Sequence, residues 1–126
     1  MTDTAVATVE IAADTFTDGA VGLGTAIVHA NTHVITPTGP LEEMLIRITN
    51  TEGSTNVVTI LPGDNPPADA PLVPAAGLAS GAITATSGIN YIRLTSSRFL
   101  QNNGTVRITV ESGMTGFILP MQISRK

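Results

Sequence analysis

The two histidines of the chain, His29 and His33, are four residues apart, a spacing that on a helix presents two metal ligands on one face. The surrounding sequence, AIVHANTHVIT, is β-prone and favours an extended chain instead. In a strand the two side chains would share a face but lie about 13 Å apart. No carboxylate follows before Glu42 to complete a ligand set. We therefore expect no metal site here, and we expect both histidines to be solvent-exposed or in loops.

Acidic residues occur at two places where a pair of carboxylates could act. Asp64 and Asp69 lie in PGDNPPAD, which faintly resembles a calcium loop, but the full set of ligands at alternating positions is missing and prolines intervene. The expected role of Asp64 is to cap a turn. Glu42 and Glu43 are adjacent, so in a strand they would point to opposite faces and could not act as an acid–base pair.

The sequence also lacks recognisable nucleophile and cofactor motifs. Ser96 and Ser97 have no GxSxG context, and no feature marks either histidine as their base. The glycines of GLG at 22–24 do not form a dinucleotide fingerprint, because no strand–helix unit follows them. Because the chain has no cysteine, disulfides and thiolate metal sites are excluded. The sequence therefore predicts a protein that is not an enzyme and that has no cofactor.

Arg98 is the charged residue whose surroundings most invite a functional interpretation. It follows a predicted strand, in a serine-rich corner next to Phe99. Its guanidinium could bind a carboxylate or backbone carbonyls of a partner. It could also tie together carbonyls of its own loop, since it carries five N–H donors. The internal clamp is the simpler of the two expectations.

The composition describes a single domain with few large side chains. The chain has 126 residues and a mass of 13.0 kDa, with 42% hydrophobic, 3% aromatic and 13% charged residues. A core with so few rings must be built from small branched side chains, which favours sheets packed on sheets. The net charge is −4, and the six Lys and Arg residues are spread along the chain, so the sequence shows no basic footprint for nucleic acid.

Two further features bear on location. No run of about eighteen apolar residues is present, so we expect no membrane span and no membrane partner. The N-terminal sequence MTDTAVATVEIAADT has neither a basic start nor a long apolar segment, so we expect no secretory signal.

The strongest structural pattern is MLIRITNTEGSTNVVTIL, which begins at Met44. In its first run Met44, Ile46 and Ile48 share one face of an extended chain, and in its second run Val58 and Ile60 do. The seven residues between the runs, NTEGSTN, are turn formers. Two alternating runs around such a segment predict an antiparallel hairpin with a longer loop.

Further β-prone segments occur along the whole chain. They are residues 4–11, 26–28, 32–36, 82–86, 90–95, 105–111 and 117–123. In NYIRLT, Tyr91 and Arg93 lie on the face opposite Ile92. No helical stripe appears, so the pattern predicts an all-β fold, either a small β-sandwich or a β-barrel, with long Pro- and Gly-rich loops.

The last of these segments, 117–123, contains a proline that constrains its place in a sheet. Phe117, Leu119, Met121 and Ile123 alternate and share one face. Since proline cannot donate to a strand ladder, we expect Pro120 on the outer face of an edge strand.

The first thirteen residues are expected to form an N-terminal arm or a first strand, and residues 14–126 a single β domain. Either Val6 faces inward with Thr4 beside it, or Val9 and Ile11 belong to the buried row. A loose, β-prone arm would gain hydrogen bonds by pairing with an exposed strand edge of a neighbouring subunit. Thr4, Val6, Val9 and Ile11 are therefore candidate interface residues.

Residues 62–81, PGDNPPADAPLVPAAGLASG, hold most of the prolines. An irregular segment of this length is uncommon in a small domain and is usually functional or disordered. Because Leu72 and Val73 are apolar, we expect this loop to lie against a surface and to contact a sibling subunit or another partner.

Three pieces of the chain, in order, carry a family resemblance: VVTILPGDNPPA, GINYIRLTSSRFLQNNGTVRIT and GMTGFILPMQI. Together they resemble small head proteins encoded beside the major capsid protein in tailed bacteriophages. In those proteins a strand ending in a V-T-(hydrophobic)-x-x-G turn precedes a Pro/Ala-rich loop, and an S-S-R-F-x-Q-x-x-G-x-(hydrophobic) segment leads into the last hairpin. The match covers roughly residues 41–123, and its most specific positions are Ser97, Arg98, Phe99, Gln101 and Gly104.

The resemblance implies a capsid decoration, or cement, protein without catalytic residues. Its partner would be the major capsid protein, its location the capsid surface of the virion after assembly in the host cytoplasm, and its oligomer a trimer. Two other classes remain open. One is another virion part, such as a tail-tube, neck or head-fibre module. The other is a carbohydrate- or ligand-binding β-sandwich, for which one tyrosine and no tryptophan offer little aromatic surface.

Overall fold

The computed structural model describes residues 3–11, 23–63, 78–94, 99–101 and 103–123. These residues form ten β-strands and one turn of 3-10 helix at Leu41–Glu43, which confirms the all-β prediction. In chain order the strands are β1 (Asp3–Val6), β2 (Val9–Ile11), β3 (Thr25–Ala26), β4 (Thr32–Ile35), β5 (Met44–Asn50), β6 (Val58–Ile60), β7 (Leu78–Ala79), β8 (Gly88–Arg93), β9 (Val106–Val110) and β10 (Gly116–Ile123).

The strands form two sheets that pack on each other. Sheet A has the order β1-β4-β9-β6-β7, and sheet B has the order β2-β10-β5-β8, with β3 also paired to β10. Both sheets are mixed, because β1–β4 and β2–β10 are parallel pairs while the other pairs are antiparallel. Of the two architectures compatible with the sequence, the structure is therefore the β-sandwich.

The core between the sheets is almost entirely aliphatic. Phe99 is the one aromatic ring in it among the described residues. The composition therefore predicted the core correctly, since small branched side chains fill the space between two pleated sheets. The apolar residues that are 0% exposed are Ile35, Ile46, Ile83, Val106, Ile108, Met114 and Ile118.

The stretch predicted as a hairpin is two strands that do not pair with each other. β5 lies in sheet B between β10 and β8, and β6 lies in sheet A between β9 and β7. The hairpin prediction is therefore wrong. The residues predicted to share a face in each run, Met44, Ile46 and Ile48 in β5 and Val58 and Ile60 in β6, are all buried. Alternation determines which face of a strand is buried, but it does not determine which strand lies beside it. The segment between β5 and β6 crosses from one sheet to the other.

Side-chain amides hold this crossing in place. Asn50 is 0% exposed, and its Nδ2 donates to the carbonyls of Ile83 at 3.2 Å and Thr84 at 3.3 Å. Its Oδ1 accepts from the backbone N–H of Glu52 at 3.0 Å and from Nδ2 of Asn56 at 3.2 Å. These contacts satisfy backbone groups at the point where the chain leaves the ladder of sheet B.

Residues 82–86, predicted as a strand, form only a single bridge. Ile83 pairs antiparallel with Asn56, and each backbone N–H of the pair donates to the carbonyl of the other, at 2.8 and 3.3 Å. Thr86 has a φ of 72°, and the chain turns at residues 85–87. The turn leads directly into β8 and leaves no length for a strand.

The N-terminal segment forms two strands in two different sheets. β1 pairs in parallel with β4 in sheet A, and β2 pairs in parallel with β10 in sheet B. The chain crosses between the sheets at residues 7–8, where the backbone N–H of Ala7 donates to Oγ1 of Thr25 at 3.2 Å. Val6 is the inward residue, at 5% exposure. The first-strand alternative therefore describes this structure, and the segment lies within the sandwich rather than extending from it as an arm.

β10 is an interior strand, so the expectation that Pro120 marks an edge strand is wrong. Pro120 is buried opposite Ile46 of β5. The backbone N–H of Ile27 donates to the carbonyl of Gly116 at 2.8 Å, so the even-numbered residues of β10 direct their backbone groups away from β5. On that side β3 pairs with residues 117–118 and β2 with residues 121–123. Pro120 lies in the gap between them, where no N–H is required.

Candidate functional site

The two histidines are in different environments. His29 is exposed in a turn, as expected, but His33 lies in β4 and is 0% exposed, so the expectation that both would be exposed or in loops is wrong for His33. Nε2 of His33 accepts the backbone N–H of Val28 at 3.1 Å. Nδ1 is buried, and no hydrogen-bond partner for it occurs in the part of the chain that the structure describes. Burial lowers the pKa of His33, and a backbone group of Ile108 acts in the opposite direction.

The carboxylates of the described residues do not form a group that could hold a metal ion. Glu42 and Glu43 lie in the 3-10 turn and not in a strand. No group of three His, Cys, Asp or Glu side chains that could hold a metal ion occurs in the part of the chain that the structure describes. Four of the other carboxylates make structural contacts: Asp3 with Arg107, Glu10 with Thr38, Glu52 with Asn56 and Glu111 with the N–H of Val57, each at 2.8 Å.

The predicted interface residues of the N-terminal segment fall into two groups. Val6 lies in the core, and Oγ1 of Thr4 accepts a hydrogen bond from Nδ2 of Asn31 at 2.9 Å. Val9 and Ile11 are half-buried and lie directly opposite residues of β10. The other residues singled out from the sequence lie outside the described residues: Leu72, Val73 and Arg98 among the interface candidates, and Asp64, Asp69, Ser96 and Ser97 among the candidates for chemistry.

The outer face of sheet B carries apolar side chains interrupted by the polar residues Arg47 and Thr49. The odd-numbered residues of β10 share a face, as predicted: Phe117, Leu119, Met121 and Ile123. This face points away from the core. Ile118, on the opposite face of the strand, packs in the core. The cross-strand neighbours of β10 on this outer face include the apolar Val9 and Leu45 and the polar Arg47 and Thr49. Its centre is covered, since Leu119 is 3% exposed, whereas Ile123 at its margin is 50% exposed.

The two sides of the sandwich differ. On one side the edge strands are β1 of sheet A and β2 of sheet B. Only two residues join these strands, so the chain itself connects the two sheets there and closes that side of the sandwich. On the other side the edge strands are β7 and β8, and a cleft of about 210 Å³ opens between them. Its walls include the side chains of Ile48, Val58, Ile60, Leu78 and Ile92. We call this the open side.

β8, the longer edge strand of the open side, has unpaired backbone groups. The ladder between β10 and β5 continues to Thr51, whose N–H donates to the carbonyl of Thr115 at 3.0 Å. Because backbone groups alternate sides along a strand, the even-numbered residues of β5 and β8 bond to each other. The N–H and C=O groups of Ile89, Tyr91 and Arg93 therefore face the free edge, where no strand of the described residues pairs with them.

The side chains of the same three residues are exposed. Ile89 is 38% exposed and Tyr91, the single tyrosine of the chain, is 59% exposed. Arg93 is also exposed, and among the described residues no hydrogen bond or ion pair of its side chain occurs. Exposed tyrosine and arginine beside an apolar pocket are typical of protein-binding surfaces. The sequence predicted that Tyr91 and Arg93 lie opposite Ile92, but it contained no signal that β8 is an edge strand.

Comparison with protein-family models, with curated proteins and with solved structures found no match to this chain. Among the described residues there is no helix of the length and apolarity needed to cross a membrane. The open side, formed by the cleft and the free edge of β8, is therefore the candidate functional site on structural grounds.

Proposed function

We propose that this chain is a structural protein of a tailed-bacteriophage virion that binds the outer surface of the capsid and stabilises it by bridging neighbouring capsid subunits. The proposal begins from the resemblance of three ordered segments to capsid decoration proteins. Residues 57–61, 88–94 and 116–123 of those segments contribute to β6, β8 and β10, so the resemblance includes strands of both sheets.

The observation that carries the proposal is the exposure of apolar side chains on sheet B. Ile89, Tyr91 and Ile123 are 38%, 59% and 50% exposed, and the first two border the open side. A protein whose role is to bind other subunits needs such a surface, whereas an isolated monomer gains nothing from it.

The architecture suits a capsid-stabilising part. The core is aliphatic, and the crossing between the sheets is held by the Asn50 amide. A rigid body of this kind can transmit a binding contact from one capsid subunit to the next without deforming. We propose a trimer as the oligomer, because that is the arrangement the resemblance implies.

The test is to mix the purified protein with capsids that lack it and to count bound copies by cryo-electron microscopy. We expect hundreds of copies per particle at symmetric outer positions, and capsids that resist heating better after binding. No binding, or a few copies confined to a neck, tail or fibre, would contradict the decoration role. Light scattering of the free protein tests the trimer separately.

A further inference from the structure

We propose that the free edge of β8 binds an extended, acidic segment of the capsid subunit, which adds to sheet B as a further strand and places an aliphatic side chain in the cleft. This inference rests on the proposed function and names the surface and the chemistry of the contact. It depends on three properties of the open side: the direction of its backbone groups, the shape of the cleft and the charge of Arg93.

The backbone of β8 is prepared for a strand on its free side. The N–H and C=O groups of Ile89, Tyr91 and Arg93 face that side, and no described strand forms hydrogen bonds with them. An added strand would satisfy these groups with main-chain hydrogen bonds, which is how extended peptides bind to exposed sheet edges. The six residues of β8 offer enough length for such pairing, whereas the two residues of β7 do not.

The cleft supplies the apolar part of the contact. Residues directly opposite each other in paired strands point to the same face of the sheet. A residue opposite Ile92 or Asn90 would therefore point inward, toward the cleft that both residues line. A cavity of about 150 Å³ lined by aliphatic side chains holds benzene, so the cleft of about 210 Å³ has room for a large aliphatic side chain.

Arg93 determines the charge of the partner. It lies at the end of β8, is exposed and makes no ion pair with any residue in the described part of the chain. The outward neighbours Ile89 and Tyr91 carry no charge, so a carboxylate on the added strand would meet Arg93 without an acidic competitor on β8. Charge complementarity therefore favours a segment that contains Asp or Glu beside its apolar residues.

A second copy of this chain is a poorer occupant than a capsid subunit. Pairing of β8 with β8 of another copy would leave both Arg93 side chains without a carboxylate, because β8 contains no acidic residue. The acidic residues in other described strands are Asp3 and Glu10, and each is bound within its own chain, to Arg107 and to Thr38 respectively. The partner is therefore expected to be a different protein.

The experiment measures the affinity of variants for capsids that lack this protein. Tyr91→Ser removes the exposed ring but keeps the backbone donor, and Tyr91→Pro also removes the N–H that faces the free edge. Arg93→Gln removes the charge. Val28, 45% exposed between β3 and β4, supplies matched controls: Val28→Ser loses an exposed apolar side chain, and Val28→Glu changes the net charge by the same −1 as Arg93→Gln.

We expect Tyr91→Ser and Arg93→Gln each to weaken capsid binding about tenfold, as central contacts of an interface do, and Tyr91→Pro to weaken it further. The Val28 variants should bind like the unmodified protein. Circular dichroism melting must show that each variant folds. If Tyr91→Pro does not fold, Tyr91→Ser and Arg93→Gln still test whether β8 contacts the capsid, because they alter only exposed side chains.

The outcomes separate this inference from the proposed function. If the unmodified protein does not bind capsids, the proposed function fails, and this inference fails with it. If the unmodified protein binds and all three β8 variants bind equally well, the function stands and the β8 contact is refuted. If the variants instead change the mass of the free oligomer, the edge is occupied by a second copy, which also overturns the inference.

Discussion

The backbone N–H of Val28 donates to Nε2 of His33 over 3.1 Å, in a position where the imidazole is 0% exposed. Because Nε2 accepts this hydrogen bond, it carries no proton, and the imidazole is neutral with its proton on Nδ1. His33 therefore links the loop after β3 to the core of sheet A, and it is a structural residue whose protonation opposes the fold.

The first prediction is that acid destabilises the protein through His33. Burial lowers the pKa of His33 below its ordinary value of 6.5, so between the two values the unfolded chain binds a proton that the folded chain does not. The free energy of unfolding should therefore fall as the pH decreases below about 7. Urea titrations between pH 7.5 and 5.5 measure this slope.

Two variants assign the slope to one residue. His33→Gln keeps an acceptor for the N–H of Val28 but cannot titrate, so its stability should change much less over the same pH range. His29→Gln removes the exposed histidine and should retain the full slope. A slope that survives in His33→Gln would show that another group is responsible.

The second prediction concerns the crossing between β5 and β6. Asn50→Ala removes donors to the carbonyls of Ser54, Ile83 and Thr84 and leaves buried groups unsatisfied. We expect the free energy of unfolding to fall by about 2–3 kcal/mol. The neighbouring Thr51→Ala, which loses only an exposed hydroxyl contact with Thr115, should cost less than about 0.5 kcal/mol. Equal effects in chemical denaturation would show that the amide network does not stabilise the crossing.

The third prediction concerns the start of β10. Gly116 has a φ of 144°, and a Cβ built there would collide with the backbone carbonyl oxygen of Thr49. Gly116→Ala should therefore cost more than about 4 kcal/mol or prevent folding, because backbone of the paired strand cannot move aside. Gly53→Ala is the control, since a Cβ at Gly53 meets no atom within 4 Å. Soluble yield and melting temperature compare the two, and a stable Gly116→Ala protein would refute the close approach.

The fourth prediction is that the N-terminal segment contributes to folding stability. Val6 is 5% exposed in the core, so Val6→Ala should lower the free energy of unfolding by about 1–3 kcal/mol. Ala7→Ser, at an exposed neighbouring position, should have little effect. Deleting residues 1–8 removes β1 completely and should destabilise the protein more than Val6→Ala does. An undiminished melting temperature after the deletion would show that the segment is a dispensable arm.

The sequence by itself determined the local features of this protein. Side-chain alternation placed Ile46 and Ile48 on one shared face and Val58 and Ile60 on another, because successive residues of a strand point to opposite sides. The scarcity of aromatic residues predicted an aliphatic core between sheets. These inferences needed only the geometry of an extended chain and the chemistry of single side chains.

The tertiary structure alone decided which strands are neighbours. The sequence of Met44–Asn50 and Val58–Ile60 predicted a hairpin because proximity along the chain favours pairing. Instead β5 pairs with β8 and β10, β6 pairs with β7 and β9, and the Asn50 amide satisfies backbone groups at the crossing. Pro120 lies in an interior strand because a gap between two short partners removes the need for its N–H. The burial of His33 and the exposure of Tyr91 on a free edge have the same cause. Whether a strand residue is buried depends on what packs against the strand, and residues far apart in the sequence supply those contacts.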